Sequence, residues 1–330
     1  MRLLVSEFGS FVGKKGRRVV VKRGDYREEF PLSKISQILI ECRGVCISCD
    51  LIKEVSSLGI NVSFLFSDAP VAMLTYPKEG GKAAVRRKQV EHYSTERGTE
   101  LVVAIIKAKL VNQMRVLSSL AKTGQLEDVS YARKLLSEMI CALEAVKGPI
   151  SECRNEIMAV EARFATEYWR NVACVVGKDV EIEGRVKRGA TDPFNASLNY
   201  AYAILFSKVF DSAVKASLDP YMGFLHADAE GRCSLVFDVM EQFRPFVDRQ
   251  VISLFTLNEF KVDEDFDKTS HLLTYSGRRR VVQAVFSLLD AYKPYQGKKM
   301  RFENIIRFEC NLIADFLLGC KAYYNGYTGD

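Results

Sequence analysis

The spacing of apolar residues changes near residue 80, and this change limits the folds open to the chain. Before it, short strand-forming runs at 3–5, 19–21, 35–40, 45–47, 60–66 and 71–76 alternate with turn formers, including the segment 13–16. Such runs are typical of strands. After residue 83, apolar side chains recur at helical spacing, as at Leu101, Ile105, Leu110 and Met114. The two halves therefore belong to different classes of domain.

The sequence predicts an α+β protein in which a small, sandwich-like β-sheet domain (1–77) precedes a larger all-α domain (83–330). The segment 78–82 contains Gly80 and Gly81 and is expected to be the linker. A single helix at 51–58 interrupts the strands. The later helices are expected at 83–95, 98–123, 128–146, 152–175, 195–217, 234–244, 246–257, 278–292 and 301–322.

Composition places few limits on function. The chain is 48% hydrophobic and 27% charged, as in ordinary globular proteins. Its net charge of +6 permits an acidic partner without requiring one. Basic residues cluster at 14–18, 86–88, 278–280 and 298–301. No apolar run reaches the roughly 20 residues of a membrane helix, and Glu7 interrupts any signal-peptide core, so a cytoplasmic protein with no membrane contact is expected.

The cysteines favour a reducing compartment, because their number, nine, is odd and most stand in apolar surroundings. Cys42, Cys46 and Cys49 lie close together, but no second Cys or His pair follows at zinc spacing. We interpret these three as packing thiols rather than metal ligands.

Two acidic residues and a histidine form the strongest candidate for chemistry. Asp238 and Glu241 are three residues apart and so share one helical face, and His226 precedes them. The apolar residues between 235 and 243 form the opposite arc, which predicts that both carboxylates point away from the packed side. Oxygen ligands with one imidazole suit manganese or a magnesium-like ion. Alternatively, the pair is a solvated face on which Glu241 meets Arg244.

Glu161 is the third candidate. It falls in the middle of an apolar helical arc that includes Ile157, Phe164 and Tyr168. A carboxylate in that position loses hydration, which costs several kcal/mol (roughly 2–7 even for a neutral polar group) unless a partner compensates. The partner could be an arginine, a shared proton or a metal, and periodicity alone does not choose among them.

The order of these motifs resembles that of the universal CRISPR-associated integrase family. Glu161 comes first in Ala-Val-Glu-Ala, then Asp192-Pro193-Phe194-Asn195, then Gly-Phe-Leu-His ending at His226, then Asp-Val-Met-Glu-Gln-Phe-Arg-Pro from Asp238. The resemblance extends over nearly the whole chain. Several spaced motifs in fixed order are far more specific than any one alone.

The resemblance implies a metal-dependent DNA endonuclease and integrase that joins foreign DNA into a CRISPR array by transesterification. It makes Glu161, His226 and Glu241 the ligands of Mg²⁺ or Mn²⁺, with Asp238 in support. It also implies DNA that is double-stranded, branched or ends in a free 3′ hydroxyl, a homodimer joined through the β domain, and a small CRISPR-associated adaptation partner. The alternative is a non-catalytic DNA-binding or assembly subunit, but such a scaffold needs none of the three ligands.

Phosphate contacts are expected from basic residues near this chemistry. The candidates are Arg86, Arg87, Arg185, Arg188, Arg244 and Arg278. Beside them, Asn195 is expected to cap the helix that follows Pro193, a structural role that is sufficient to explain its presence.

Overall fold

The structure, a computed structural model, describes residues 1–66, 69–74, 82–177, 180, 182, 184–187 and 189–329. The chain divides into two compact units, Met1–Glu79 and Gly80–Asp330. Residues 78–81 of the expected linker lie outside the described residues, so the linker itself stays a prediction.

The first unit contains two four-stranded sheets. In one, β1 (Arg2–Val5), β5 (Gln37–Ile40) and β7 (Asn61–Phe66) run parallel, and β8 (Ala69–Leu74) pairs antiparallel with β7. In the other, β4 (Tyr26–Pro31), β3 (Arg18–Arg23) and β2 (Phe11–Lys15) form an antiparallel meander, and β6 (Cys46–Ile47) pairs parallel with β2. A short 3-10 helix (Leu32–Lys34) and helix α1 (Cys49–Ser57) complete the unit.

The two sheets and α1 share one apolar core. Val5 and Ile38 enter it from the first sheet, Val12 and Val19 from the second, and Val55 from the helix. Core residues lie two positions apart in β1 (Leu3 and Val5) and in β5 (Ile38 and Ile40), as the two-residue period of a strand requires. The sandwich-like β domain predicted from the sequence is therefore confirmed.

Two strands of this unit are not apparent in the sequence. The segment 13–16 was expected to be a turn, but Gly13 lies inside β2 and the chain turns at Gly16 and Arg17. Strand β4 is largely exposed and polar, and it is held by its pairing with β3. β4 is an edge strand with little buried surface, and β2 contains a glycine and two exposed lysines, so both carry a weak hydrophobic pattern and were missed.

The second unit is mainly helical, as predicted. Its helices are α2 (Ala83–His92), α3 (Glu96–Lys122), α4 (Ser130–Ala145), α5 (Ile150–Val176), α6 (Pro193–Lys215), α7 (Ser234–Met240), α8 (Arg244–Thr256), α9 (Val262–Asp265), α10 (Tyr275–Asp290) and α11 (Phe302–Leu317). Two small antiparallel pairs were not predicted: β9 (Phe266–Asp267) with β10 (Leu272–Leu273), and β11 (Tyr292–Tyr295) with β12 (Lys298–Arg301).

Helix α6 forms the centre of this unit. Leu198, Ile204, Leu205 and Val209 are fully buried, and α7, α8, α10 and α11 pack around the helix. Because α3 packs against both α5 and α7, it brings residues far apart in sequence to one place.

The cap of α6 differs from the expectation. Asp192, not Asn195, is the N-cap: its Oδ1 accepts a hydrogen bond from Asn195 N at 2.8 Å. The Asn195 side chain is buried and instead accepts from Val186 N and Arg185 Nη1, both at 2.9 Å. The proline at the first helical position fits this arrangement, since its missing N–H has no partner to lose there.

Two further expectations concern membranes and cysteines. None of the described helices has the length and apolarity needed to span a bilayer. All nine cysteines are free thiols. The packing role expected for Cys46 and Cys49 is wrong, because both side chains are exposed, as are Cys141, Cys174 and Cys320.

Candidate metal centre

Asp238 organises the segment that carries the histidine. Its Oδ2 accepts hydrogen bonds from Phe224 N at 2.6 Å and Leu225 N at 3.0 Å. Its Oδ1 accepts from His226 N at 2.9 Å and lies 2.6 Å from His226 Nδ1. One carboxylate on α7 thus fixes both the backbone of 224–226 and the plane of the imidazole. With Nδ1 engaged, Nε2 is the ring nitrogen left to face a ligand.

Gly223 allows this segment to approach α7. A Cβ at Gly223 would lie 2.6 Å from Ser234 Cβ and 3.0 Å from Asp238 Oδ2. These distances leave no room for a side chain, so the glycine is required by close backbone approach.

The two carboxylates of α7 do not point away from the packed side, as the sequence suggested. Asp238 is 2% exposed and Glu241, which caps the helix, is 3% exposed. The helix is short and is covered on both faces, one by the core and the other by the 223–226 segment. The i, i+3 proximity of the pair is nevertheless present, because Glu241 N donates to Asp238 O at 3.2 Å.

Glu241 is surrounded by cations. Arg244 Nη1 lies 3.1 Å from its Oε1, and Lys109 Nζ lies 2.5 Å from its Oε2. Among the described residues, none donates a hydrogen bond of regular geometry to Oε2, so the contact with Lys109 is an ion pair without a hydrogen bond. Burial alone would raise the pKa of Glu241, but Arg244, Lys109 and His226 outweigh it and lower the pKa to about 2. The carboxyl is therefore ionised at any ordinary pH.

Glu161 extends from α5 toward the same place. Its side chain is 24% exposed and forms an ion pair with Lys109, which answers the question of its partner in favour of a lysine. Lys109, on α3, is itself only 6% exposed. Burial lowers the pKa of Lys109, but Glu241 and Glu161 together overcome it and raise the pKa above its usual range. A full positive charge thus lies between the two carboxylates.

The three expected ligands surround one position without forming a closed cluster. His226 Nε2 is 3.9 Å from Glu241 Oε1, and Glu161 is connected to Glu241 through the shared ammonium of Lys109. Within the described residues, no group of three His, Cys, Asp or Glu side chains has metal-binding geometry. The donor set of two carboxylates and one imidazole nevertheless fits a divalent ion, and a cation already stands where that ion would bind.

A second polar network supports the arginine beside Glu241. Tyr168 donates to Asp248 Oδ2 at 3.0 Å, and Tyr202 donates to Asp248 Oδ1. The guanidinium of Arg244 lies over the Tyr202 ring, 5.1 Å from its centroid. Burial raises the pKa of Asp248 to about 6, against the opposing effects of both tyrosines and two arginines.

A cavity of about 1000 Å³ opens beside these groups. Cationic and aromatic side chains dominate its polar wall, which also includes Glu161 and Asp248: Lys109, Trp169, Arg185, Lys187, Tyr202 and Arg244. Arg185 lies 5.3 Å from the Tyr202 centroid and 6.0 Å from that of Trp169. Such a wall suits phosphates and unpaired bases, which bind to cations and aromatic faces.

The expected phosphate-binding residues fall into separate groups. Arg86 and Arg87 are exposed on α2. Arg185 and Arg244 line the cavity. Arg278 Nη1 donates to Leu273 O at 2.9 Å, and Arg188 lies outside the described residues.

Sequence reasoning missed Lys109 and the residues that hold Glu241 in place. Asn112 Nδ2 donates to Gln242 O at 2.9 Å, and Gln242 Oε1 accepts from Tyr327 N at 2.7 Å. Lys109 could have been noticed, because it follows Ile105 by four residues and so lies on the apolar face of α3. The contacts of Gln242 connect distant segments and leave no local signal.

Comparison with known proteins identifies the family of the chain. The pattern of the family described as CRISPR associated protein Cas1 matches residues 3–286. A protein named CRISPR-associated endonuclease Cas1 1 from Archaeoglobus fulgidus is 32% identical over 98% of this chain and 98% of its own length. A protein of the same name from Pyrobaculum aerophilum is 38% identical over 77% of this chain and 82% of its own.

Two solved structures share the fold. A casposase bound to integration product superposes with a TM-score of 0.86 at 23% identity and covers 99% of this chain and 94% of its own. A Cas1 protein from Thermotoga maritima gives a TM-score of 0.78 at 18% identity, with 99% and 100% covered. The match to most of the chain and the full-length similarity to curated relatives show that this protein belongs to the Cas1 family of CRISPR-associated proteins.

Proposed function

We propose that this protein is a divalent-metal-dependent DNA endonuclease and integrase that joins foreign DNA fragments into a CRISPR array. The observation that carries the proposal is the convergence of Glu161, His226 and Glu241 on one cation position. The three come from α5, from the loop before α7 and from the end of α7. A subunit that only bound DNA or held an assembly together would need no such arrangement, and this argues against the alternative.

Names of similar proteins support the reaction class and the partners. The curated relatives from two archaea are named endonucleases. Solved structures with related folds include a casposase on its integration product, a Cas1 protein with DNA and a complex containing Cas1 and Cas2. We accordingly propose that the chain acts on DNA and binds a small adaptation partner. That it forms a homodimer through its β domain is proposed on the family resemblance of the sequence.

The bound ion, Mg²⁺ or Mn²⁺, would polarise a phosphoryl oxygen and favour ionisation of an attacking hydroxyl. The protein supplies the geometry. Asp238 orients His226 so that Nε2 faces Glu241. Arg244, which rests on Tyr202, places a fixed positive charge beside the site, where it would balance negative charge that develops on the phosphate.

The cavity next to Glu161 supports DNA as the substrate. Its cations are continuous with the proposed ion position, so a phosphodiester held there would lie near the ligands. In this wall, Arg244 is engaged by the Glu241 carboxylate, whereas Arg185 donates to the amide oxygens of Asn195 and Asn199, and we assign Arg185 and Lys187 to phosphate binding.

A joining assay tests the proposal. A short duplex with free 3′ ends is incubated with a repeat-bearing plasmid, with and without Mn²⁺. Glu161→Gln, which keeps the shape of the side chain, should abolish joining, as should His226→Ala and Glu241→Ala, while DNA binding survives. Glu156→Gln is the matched control, because Glu156 is exposed on the same helix. Full joining activity in Glu161→Gln would falsify the metal site.

A further inference from the structure

Lys109 occupies the position that a divalent ion would need. Its ammonium pairs with both Glu161 and Glu241, although these residues belong to different helices and neither is its neighbour in sequence. The side chain is buried on α3. A buried lysine loses most of its hydration, so it remains charged only where carboxylates replace the lost water.

The charges in direct contact at this position are already close to balance. Three carboxylates, on Asp238, Glu161 and Glu241, face two cations, Lys109 and Arg244. Adding a divalent ion to this set would produce a net positive charge in a buried site. Replacing the ammonium with that ion would instead make the formal charges equal, with His226 neutral as a metal ligand must be.

We propose that Lys109 is a built-in occupant of the metal position, so that metal loading exchanges the lysine ammonium for the divalent ion. This inference rests on the metal site of the proposed function. Without metal, Lys109 holds Glu161 and Glu241 together and preserves the spacing of the ligands. When metal binds, the ammonium withdraws and leaves both carboxylates to the ion.

The structure provides a place for the displaced side chain. Lys109 lines the large cavity together with Gln113 and Glu161, so its four-carbon chain can swing from the carboxylates into solvent-filled space without any change in the helix. In that position the ammonium would face the cavity, where it would form an ion pair with a DNA phosphate. Lysine suits this double use, since its compact ammonium rotates freely on a flexible stem.

Mn²⁺ titration by calorimetry into metal-stripped protein tests the exchange. Lys109→Met keeps the length of the side chain and removes the competing charge, so Mn²⁺ should bind about tenfold more tightly or better, within the usual range of coupling between two ligands. Lys109→Arg retains the charge and can hold carboxylates by two hydrogen bonds, so it should bind Mn²⁺ more weakly than the wild type. Lys107→Met is the matched control, because Lys107 is on the same helix and forms an exposed ion pair with Glu144.

Melting temperature gives a second measurement. Without metal, Lys109→Met should melt below the wild type, because two carboxylates lose their counter-ion, and saturating Mn²⁺ should close most of the gap.

Equal or weaker Mn²⁺ binding by Lys109→Met would overturn the exchange, and so would a stability gap that metal does not reduce. If Lys109→Met does not fold, Lys109→Arg decides: Mn²⁺ binding as tight as in the wild type rejects the proposal. A wild type that shows no Mn²⁺ binding dependent on Glu161 would instead reject the metal site itself, and the exchange with it.

Discussion

Replacement of Asp238 by asparagine should destabilise the protein far more than its small chemical change suggests. Each carboxylate oxygen of Asp238 faces two nitrogens: Phe224 N and Leu225 N on one side, and the two nitrogens of His226 on the other. An asparagine amide offers only one acceptor oxygen. If the NH₂ group faces Phe224 N and Leu225 N, it meets two N–H donors and cannot bond to either. If it faces His226, it cannot bond to His226 N, and it can donate to Nδ1 only when the ring proton moves to Nε2, the nitrogen that faces Glu241.

The magnitude follows from the number of donors left without a partner. Each buried N–H that loses its acceptor costs about 1–3 kcal/mol, so the loss of one or two acceptors should lower the free energy of unfolding by about 1–6 kcal/mol. That is a large part of the total stability of an ordinary protein, about 5–15 kcal/mol. The same change should turn the imidazole of His226 away from Glu241 and weaken Mn²⁺ binding.

Urea unfolding followed by circular dichroism measures the stability change, and calorimetry measures Mn²⁺ affinity. Asp263→Asn is the control, because Asp263 is exposed and pairs with Lys268 at 2.9 Å. An exposed ion pair contributes about 0.2–1 kcal/mol, so this control should stay close to the wild type. Should Asp238→Asn lose no more stability than Asp263→Asn, the view that Asp238 holds the histidine segment would be wrong.

Three further predictions concern pH, DNA and assembly. Because the pKa of Asp248 is raised to about 6, the folded state binds the proton of this carboxyl more tightly than the unfolded chain does. The contribution of Asp248 to the free energy of unfolding is therefore complete below about pH 4 and falls by about 3 kcal/mol as the pH rises to about 6. Asp248→Asn should flatten this part of the curve of melting temperature against pH, and an unchanged curve would contradict the assignment. Replacing Arg86 or Arg87 by alanine should reduce the slope of log binding constant against log salt concentration by about one unit each. An unaltered slope would show that these arginines are solvated surface residues that do not contact phosphate. Light scattering should show a dimer. When the dimer is diluted until it dissociates, amide hydrogens within residues 1–74 should exchange faster, whereas faster exchange confined to residues 82–329 would place the interface in the other unit.

Helical periodicity predicted the architecture because each long helix has a broad apolar face. It failed on the exposure of Asp238 and Glu241, since a helical wheel contains only the residues of one helix. The carboxylate of Asp238 is buried by backbone N–H groups of a different segment, and no pattern within 234–244 could indicate them. The order of the motifs, by contrast, drew attention to Gly223, whose role is visible in the structure as a close approach to Ser234.

The same reasoning from helical faces could have predicted that Lys109 is a buried charge in need of a partner. A charged residue on the apolar face of α3 is as unusual as Glu161 on the apolar face of α5, and the two observations together predict a buried ion pair. The sequence does not say that these two faces meet, because that depends on the packing of α3 against α5. Nor does it predict that Glu241 shares the lysine, a contact that requires α7 as well.

The support of Glu241 indicates that most of the site is fixed before any ion binds. Its neighbour Gln242 is held by Asn112 from α3 and by Tyr324 and Tyr327 from the end of the chain. Asn112 also donates to Tyr327 O at 2.8 Å, which closes the network around the end of α7. Backbone contacts of this kind do not depend on metal. The part of the site free to respond to an ion is therefore the flexible Lys109 side chain and the partly exposed Glu161, which places the exchange of cations there rather than in a rearrangement of the fold.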